Sequence, residues 1–191
     1  PIKVMQIGEG NFLRAFVDYG IDVANEELGF NSNVAIIVPI SGKPARFANQ
    51  DNIYTVCLRG QKDGKPFKED RIVTCVEKVL GAYEDYEEFM ALARLDTLEF
   101  VVSNTTEAGI VYDAGDKLGD CPPNTYPAKL INHNGENLKK CVMQYVDLWK
   151  LEDGFRNWLD KDCIFASTLV DRIVTGYPRA EAAKMCEELG Y

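Results

Sequence analysis

The chain has 191 residues, of which 46% are hydrophobic and 27% charged, as expected for one soluble globular domain with a substantial core. Its formal net charge of −9 argues against nucleic acid and anionic membrane surfaces as partners. No apolar run approaches the roughly 20 residues that a membrane span needs, so we expect a cytoplasmic protein.

Six cysteines and one histidine are present, and no two cysteines form a Cys-x-x-Cys pair. Metal-ligand spacing is therefore absent, and we predict no metal site. Most of the cysteines stand in apolar runs, which is typical of reduced core residues in the cytosol. A Gly-Glu-Gly stretch interrupts the first apolar segment, so no signal peptide is predicted, and Pro1 in place of Met indicates that earlier residues are missing or processed.

The chain opens with a short apolar strand, Ile2–Ile7, that runs into Gly8-Glu9-Gly10 and then into an amphipathic segment. This is the local pattern of a dinucleotide-binding turn, in which the first Gly permits the bend and the second lets a pyrophosphate approach the backbone. The phosphates would lie at the helix N-terminus, where free N–H groups favour negative charge. Leu13 takes the place of the third Gly of the usual pattern, so close packing of the helix on the strand is not specified.

Arg14 follows one turn into this segment, where a guanidinium could bind a phosphate or carboxylate bidentately. A solvated helix residue is an equally good interpretation. We predict a helix over about residues 11–28 that ends at Gly29. Its apolar face contains Phe12, Ala15, Phe16, Tyr19 and Val23.

Val34–Val38 is a continuous apolar run and predicts a strand buried on both faces of a parallel sheet. It completes a βαβ unit, whose crossover should be right-handed. Many NAD-binding proteins carry an acidic residue after this strand to hold the ribose. Residues 39–43 contain no Asp or Glu, and Lys43 or Arg46 could instead favour a 2′-phosphate.

An insertion follows that a simple doubly wound sheet lacks. Residues 53–59 have an alternating pattern and are rich in residue types that favour β-strands. Residues 62–65 form a turn signal, and residues 71–76 are predicted as the returning second strand. This pattern predicts an antiparallel hairpin over about residues 53–76.

A helix at about residues 84–94 and a buried strand at residues 99–103 come next. The helix is expected to face inward through Tyr86, Phe89, Met90 and Ala93. The strand leads into the polar segment 104–109, and open α/β sheets bind ligands at the carboxyl ends of their strands. A helix N-cap formed by Thr105 or Thr106 is the alternative, and both roles are compatible.

The rest of the chain predicts helices at about residues 136–149, 154–161 and 179–189 and a short strand at 164–166. His133 stands in the turn signature Asn132–Gly135, which is a better interpretation than a general base. A doubly wound sheet should contain another strand between residues 103 and 164, yet residues 120–135 hold no apolar run. We therefore predict that residues are missing near positions 130–131.

Three segments, at residues 8–15, 103–109 and 169–173, resemble in order the marker segments of the polyol-specific long-chain dehydrogenases, the mannitol dehydrogenase family. The resemblance covers essentially the whole chain. The longer strings at residues 50–55 and 172–179 are most similar to the tagaturonate reductase (altronate oxidoreductase) branch. Fructuronate reductases and mannitol-type dehydrogenases are the alternatives within the family.

The resemblance implies an α/β fold: a Rossmann-like, doubly wound, mostly parallel sheet with the hairpin inserted, over residues 1–191. It implies reversible hydride transfer between NAD and a sugar acid or polyol in hexuronate catabolism. The family's catalytic Lys lies in a C-terminal helical domain, and no residue of this chain matches that motif, so we assign no catalytic residue here. The family pattern also carries additional residues, including a strand, between the matches to Lys129 and Ile131.

The resemblance assigns cofactor-binding roles to an N-terminal run, namely Gly8, Glu9, Gly10, Asn11, Phe12, Leu13, Arg14 and Ala15. It places Asn104, Thr105 and Glu107 beside the nicotinamide half of NAD, and Val170 and Asp171 against the substrate. Without it, Asp171 and Arg172 would be interpreted as a structural ion pair. A non-catalytic nucleotide-binding module is the alternative of another class, because no catalytic base is assigned, and no oligomeric state is predicted.

Overall fold

The computed structural model of the chain describes residues 1–40, 42, 45–104, 110–119, 133–168 and 173–190, without the side chains of residues 45 and 46. The chain divides into two units, one of residues 1–102 with 171–191 and one of residues 103–170. The first unit contains the parallel sheet and the inserted hairpin, and the described part of the second is largely helical.

Four strands form the main sheet. They are β1 (Ile2–Ile7), β2 (Asn33–Val38), β5 (Val76–Gly81) and β6 (Phe100–Ser103), and they lie in the order β5-β2-β1-β6. β2 pairs in parallel with β1 on one side and with β5 on the other. Counted along the chain, the strands of this sheet follow the order 3-2-1-4, which is the arrangement of a Rossmann fold around its switch point.

Both faces of the sheet are covered by apolar side chains. On one face a buried cluster contains Val4, Val34, Ile36, Phe47, Tyr54, Val56, Val73, Cys75 and Val76. On the other face the buried cluster contains Ile2, Ala35, Ile37, Leu80, Ala82 and Leu92. Alternate residues of β2 enter opposite clusters, which confirms that this strand is buried on both sides.

The helical segment after the glycines is confirmed, and its inward face agrees with the prediction in part, since Ala15 and Tyr19 pack against the first core cluster. It consists of α1 (Asn11–Leu13), a π-helical stretch (Arg14–Asp18) and α2 (Tyr19–Leu28), and Gly29 ends it at φ 62°. Leu13, Asp18 and Asp22 are buried, whereas Phe16 is 36% exposed. A π turn holds more residues than an α turn, so it rotates the later part of the segment relative to a regular helix.

The inserted hairpin is confirmed, and its second strand differs from the prediction. β3 (Tyr54–Lys62) and β4 (Lys65–Val73) pair antiparallel from Tyr54 opposite Val73 to Lys62 opposite Lys65. The connecting Asp63 and Gly64 both have positive φ, as a type I′ turn requires. The prediction that one strand covers residues 71–76 is wrong, because β4 ends at Val73 and Val76 already belongs to the parallel strand β5.

Three further elements of the first unit depart from the prediction. A short α3 (Ala45–Ala48) follows β2, and the helix predicted at 84–94 is α4 (Tyr86–Leu92). Leu92 and the half-buried Phe89 face the second cluster, whereas Met90 and Ala93 are exposed. β6 was expected to be buried, but Val101 is 60% exposed, because β6 lies at the edge of the described sheet.

The described part of the second unit contains α5 (Asn134–Leu148) and α6 (Asp153–Lys161), close to their predicted bounds. His133 is the N-cap of α5 at φ 57° with a 71% exposed side chain, and the predicted turn Asn132–Gly135 is wrong in its second half, because Asn134 and Gly135 belong to α5. The strand predicted at 164–166 is wrong, because residues 163–168 are irregular and Ile164 is 94% exposed. The position predicted for missing residues, 130–131, lies outside the described residues.

The last helix, α7 (Ala182–Leu189), belongs to the first unit and begins three residues later than predicted. It is linked to the hairpin by two ion pairs at the surface. Arg59 donates to Glu181 at 2.7 Å, and Lys68 donates to Glu188 at 2.8 Å.

Candidate nucleotide-binding site

Gly8 forms the bend at the carboxyl end of β1. Its N–H donates to the Ile37 carbonyl at 2.8 Å, which continues the pairing of the first two strands. Its φ of 117° lies in a region that residues with a side chain rarely adopt, and a Cβ here would lie 3.2 Å from Leu13 Cδ1. The buried Leu13 therefore packs beneath the bend, although it replaces a glycine of the usual pattern.

Gly10 differs from Gly8 because the folded chain itself does not require a glycine there. Its φ of −63° and ψ of 158° suit any residue, and a Cβ would meet no atom within 4 Å. The space above this backbone is therefore open. A glycine in an ordinary conformation beside open space is what a group that binds close to the main chain needs, so the residues fit a dinucleotide.

The helical segment begins immediately after this open space. Gly10 is the N-cap of α1, no side chain caps the helix end, and the Arg14 N–H donates to the Gly10 carbonyl at 3.3 Å. The backbone N–H groups of a first helical turn have no partner within the helix and favour an anion. The bend, the open glycine and the helix start thus form one continuous anion-binding surface.

Arg14 braces this turn from the side. Its Nε donates to the Glu9 carbonyl at 3.1 Å, and a terminal nitrogen donates to the Asn11 side chain. The guanidinium carbon lies 5.1 Å from the Tyr54 ring centroid and 5.4 Å from that of Phe47, a cation–π arrangement. Neither of the two interpretations drawn from the sequence described this bracing role.

A buried polar cluster lies beneath the turn, and the sequence analysis missed it. Gln6 and Asp18 are both 0% exposed. Gln6 Nε2 donates to the Gly8 carbonyl at 3.1 Å, and the Tyr54 hydroxyl donates to Asp18 Oδ2 at 2.7 Å. Burial raises the pKa of Asp18 to about 7, against the opposing effects of Tyr54, Gln6 and Arg14. A glutamine inside the apolar run of β1 was the available signal.

The other predicted site residues are described only in part. Phe12 and Ala15 are half-buried on the helical segment, and Asn104 is exposed directly after β6. Four assigned residues lie outside the described part of the chain, namely Thr105, Glu107, Val170 and Asp171. Lys43 and the side chain of Arg46 do too, so the proposed roles of all six stay predictions.

Within the described ranges, no group of three or more His, Cys, Asp or Glu side chains is placed to hold a metal ion. The described helices include none that is long and apolar enough to cross a membrane.

A family model described as the mannitol dehydrogenase Rossmann domain matches residues 2–189. The chain belongs to the mannitol dehydrogenase family. Among its relatives are altronate oxidoreductases of Shigella sonnei (strain Ss046) and Escherichia coli O1:K1 / APEC, each 43% identical over 219 residues. These matches cover 100% of this chain and 45% of the relative, so the chain spans less than half the length of these proteins.

Two solved structures have the same fold. The mannitol 2-dehydrogenase of Pseudomonas fluorescens, in a ternary complex with NAD and D-mannitol, matches with a TM-score of 0.75 at 20% identity, over 98% of this chain and 45% of that one. A D-sorbitol dehydrogenase in substrate-free form matches with a TM-score of 0.72 at 16% identity, over 98% and 46%. The predicted Rossmann-like sheet with a hairpin is thereby confirmed.

Proposed function

We propose that this mannitol dehydrogenase family chain is the nucleotide-binding part of an NAD-dependent altronate oxidoreductase, also called tagaturonate reductase, which interconverts D-altronate and D-tagaturonate. The observation that carries the proposal is the open backbone at Gly10, between the bend at Gly8 and an uncapped helix start. The identity of 43% to altronate oxidoreductases supports this branch of the family.

In this proposal the chain binds and orients the cofactor. The main chain from Gly8 to Gly10 and the first N–H groups of the helix hold the diphosphate, and Arg14 keeps the turn in shape. When bound, NAD supplies the acceptor for the hydride of the substrate carbinol. Asn104, Thr105 and Glu107 are proposed to lie beside the nicotinamide half, and Val170 and Asp171 beside the sugar acid.

Several parts of the proposal go beyond the family relationship. The preference for NAD over NADP, the sugar-acid substrate and the cytoplasmic location are predictions. Reduction of tagaturonate, fructuronate and fructose by the full-length polypeptide, with NADH and NADPH in parallel, tests the first two. Faster reduction of fructuronate or fructose than of tagaturonate would move the protein to another branch of the family.

Binding of NADH by this chain directly tests the proposed diphosphate site, which is formed by the main chain from Gly8 to Gly10 and the helix start. We expect isothermal titration to show binding to the wild-type chain and a loss of about tenfold or more in Gly10→Val, because the side chain fills the space over the backbone. Gly60→Val is the matched control, since Gly60 also has no atom within 4 Å of its added Cβ and lies in β3. Absence of heat with millimolar NADH, or equal affinity of the wild type and Gly10→Val, would refute the assignment of the diphosphate site to Gly8–Gly10.

A further inference from the structure

The side chain of Glu84 joins the end of β5 to the loop that follows β2. The Gly42 N–H donates to Glu84 Oε1 at 2.7 Å, between residues that lie 42 positions apart in the chain. Glu84 belongs to the turn between β5 and α4, and it is exposed. A carboxylate therefore lies beside the loop after β2, although residues 39–43 contain neither Asp nor Glu.

This carboxylate is at the same edge of the sheet as the proposed diphosphate site. The Ile37 carbonyl of β2 accepts from the Gly8 N–H at 2.8 Å. The next carbonyl of the strand, that of Val38, accepts from the Ala82 N–H at 2.9 Å. The glycine bend thus lies on one side of the end of β2, and the turn that carries Glu84 begins on the other. Many NAD-binding proteins hold the adenosine ribose at this strand end.

The turn that carries Glu84 is closed by two hydrogen bonds. The Asp85 N–H donates to the Gly81 carbonyl at 2.9 Å, and the Gly81 N–H donates to Asp85 Oδ2 at 2.7 Å. The Glu84 carboxylate lies over Gly81, since a Cβ at that glycine would be 2.2 Å from Glu84 Oε2. The closed turn and the space at Gly81 therefore hold the carboxylate beside β2 before a ligand binds.

We propose that Glu84 selects NAD over NADP by accepting hydrogen bonds from the hydroxyls of the adenosine ribose. A carboxylate has about four acceptor positions, and the Gly42 N–H uses one of them. The same negative charge repels the 2′-phosphate that NADP carries in place of a hydroxyl. This specificity role rests on the proposed function, because the ribose reaches Glu84 only if the diphosphate binds at Gly8–Gly10.

Binding of NADH and NADPH to the chain, measured in parallel by isothermal titration, tests this assignment. We expect the wild type to bind NADH at least about tenfold more tightly than NADPH, because NADPH loses a hydrogen bond to a charged group and gains a repulsion. Glu84→Gln should reduce this preference by about tenfold, chiefly because NADPH binds better. The glutamine amide oxygen can still accept from Gly42, so the variant removes the charge and keeps the contact between the two loops.

Two further variants separate the charge of the carboxylate from its position. Glu87→Gln removes the same charge in the first turn of α4, and it should keep the wild-type preference for NADH. Gly81→Ala keeps the charge but places a methyl group where Glu84 Oε2 lies. It should therefore displace the carboxylate and weaken the preference as well.

Failure of this assignment and failure of the proposed function give different results. If neither nucleotide binds to the wild type, the diphosphate site is wrong and the role of Glu84 is wrong with it. If Glu84→Gln keeps the wild-type preference, or Glu87→Gln loses as much, the role of Glu84 is wrong and the nucleotide site stands. Tighter binding of NADPH than of NADH by the wild type would also overturn that role, in favour of Lys43 or Arg46 as ligands of a 2′-phosphate.

Discussion

Asp18 and Asp22 lie four residues apart on one helical segment of the mannitol dehydrogenase domain, and both are buried. Asp22 has a donor at each oxygen: Arg71 Nε lies 2.7 Å from Oδ2, and the Thr74 N–H and hydroxyl lie 2.9 and 3.1 Å from Oδ1. Asp18 receives one donor, from Tyr54, and its second oxygen has none. Similar burial thus comes with different hydrogen bonding.

The difference shows that the surrounding donors, together with burial, decide what a buried carboxyl does. Asp22 joins the helix to the point where the hairpin returns to the sheet, since Arg71 lies in β4 and Thr74 follows its end. It is a structural anchor. Asp18 lies in the cluster that includes Gln6 and so connects to the Gly8 bend. With fewer donors than Asp22, it keeps a pKa that burial raises to about 7.

The largest effect is expected from Asp22→Leu. This change removes the buried carboxylate at 2.7 Å from the mostly buried guanidinium of Arg71, which keeps only the exposed Glu26, and breaking a buried pair costs up to about 3–5 kcal/mol of unfolding free energy. Urea unfolding measures it. Glu88→Ala, which breaks the exposed pair with Lys78, is the control and should unfold close to the wild type. Equal unfolding of both variants would show that Asp22 is no anchor.

An effect that grows with pH to a comparable size is expected for Asp18→Asn. The folded chain holds the Asp18 proton up to about pH 7, whereas the unfolded chain releases it near 3.8. Between these values the folded state binds more protons, so this carboxyl lowers stability as pH rises. Unfolding curves from pH 4 to 7 should show wild-type stability falling relative to Asp18→Asn, by up to about 1.4 kcal/mol per pH unit. Parallel curves for the two proteins would mean that Asp18 is ionised when folded.

The smallest effect is expected from Tyr54→Phe, which removes the hydrogen bond of 2.7 Å from the Tyr54 hydroxyl to Asp18 Oδ2. One buried hydrogen bond contributes about 1 kcal/mol to stability. Because the Tyr54 donor lowers the pKa of Asp18, the variant should also titrate at a higher pH than the wild type. An unchanged midpoint in an NMR titration of the Asp18 carboxyl would show that the Tyr54 hydroxyl does not affect the pKa of Asp18. The contrast drawn above between the donors of Asp18 and those of Asp22 would then lose its support.

The sequence was sufficient for those elements whose signal is local. The apolar run Val34–Val38 identified the central strand, and Asp63-Gly64 identified the hairpin turn. The strand Val76–Gly81 was missed because the second strand of the hairpin was predicted to run to residue 76, which is the first residue of this strand. Its boundary depends on Thr74 leaving the ladder to bond Asp22, which lies 52 residues away in the chain. Local preference carries no information about such a bond.

The same distinction applies to the site. Gly8 and Gly10 follow a sequence pattern with a known mechanical meaning, so the turn was recognised from residues alone. Asp18 was not, because a carboxylate among apolar helix residues is usually exposed, and only the folded chain shows it buried beside Ala15 and Tyr19. Tyr54 lies 36 residues further along, on an element that seemed to be an addition to the sheet. Its relation to the turn emerges only from the folded chain.

The hairpin is an insertion by topology, yet its base is part of the interior of the domain. Tyr54, Val56 and Val73 all belong to the buried cluster on one face of the sheet. Deleting the whole hairpin to obtain a minimal nucleotide-binding domain would expose that face of the sheet. It would also remove Tyr54, the hydrogen-bond donor to Asp18. The hairpin can be shortened from its solvent-exposed turn at Asp63-Gly64, but its base, where Tyr54 pairs with Val73, has to be kept.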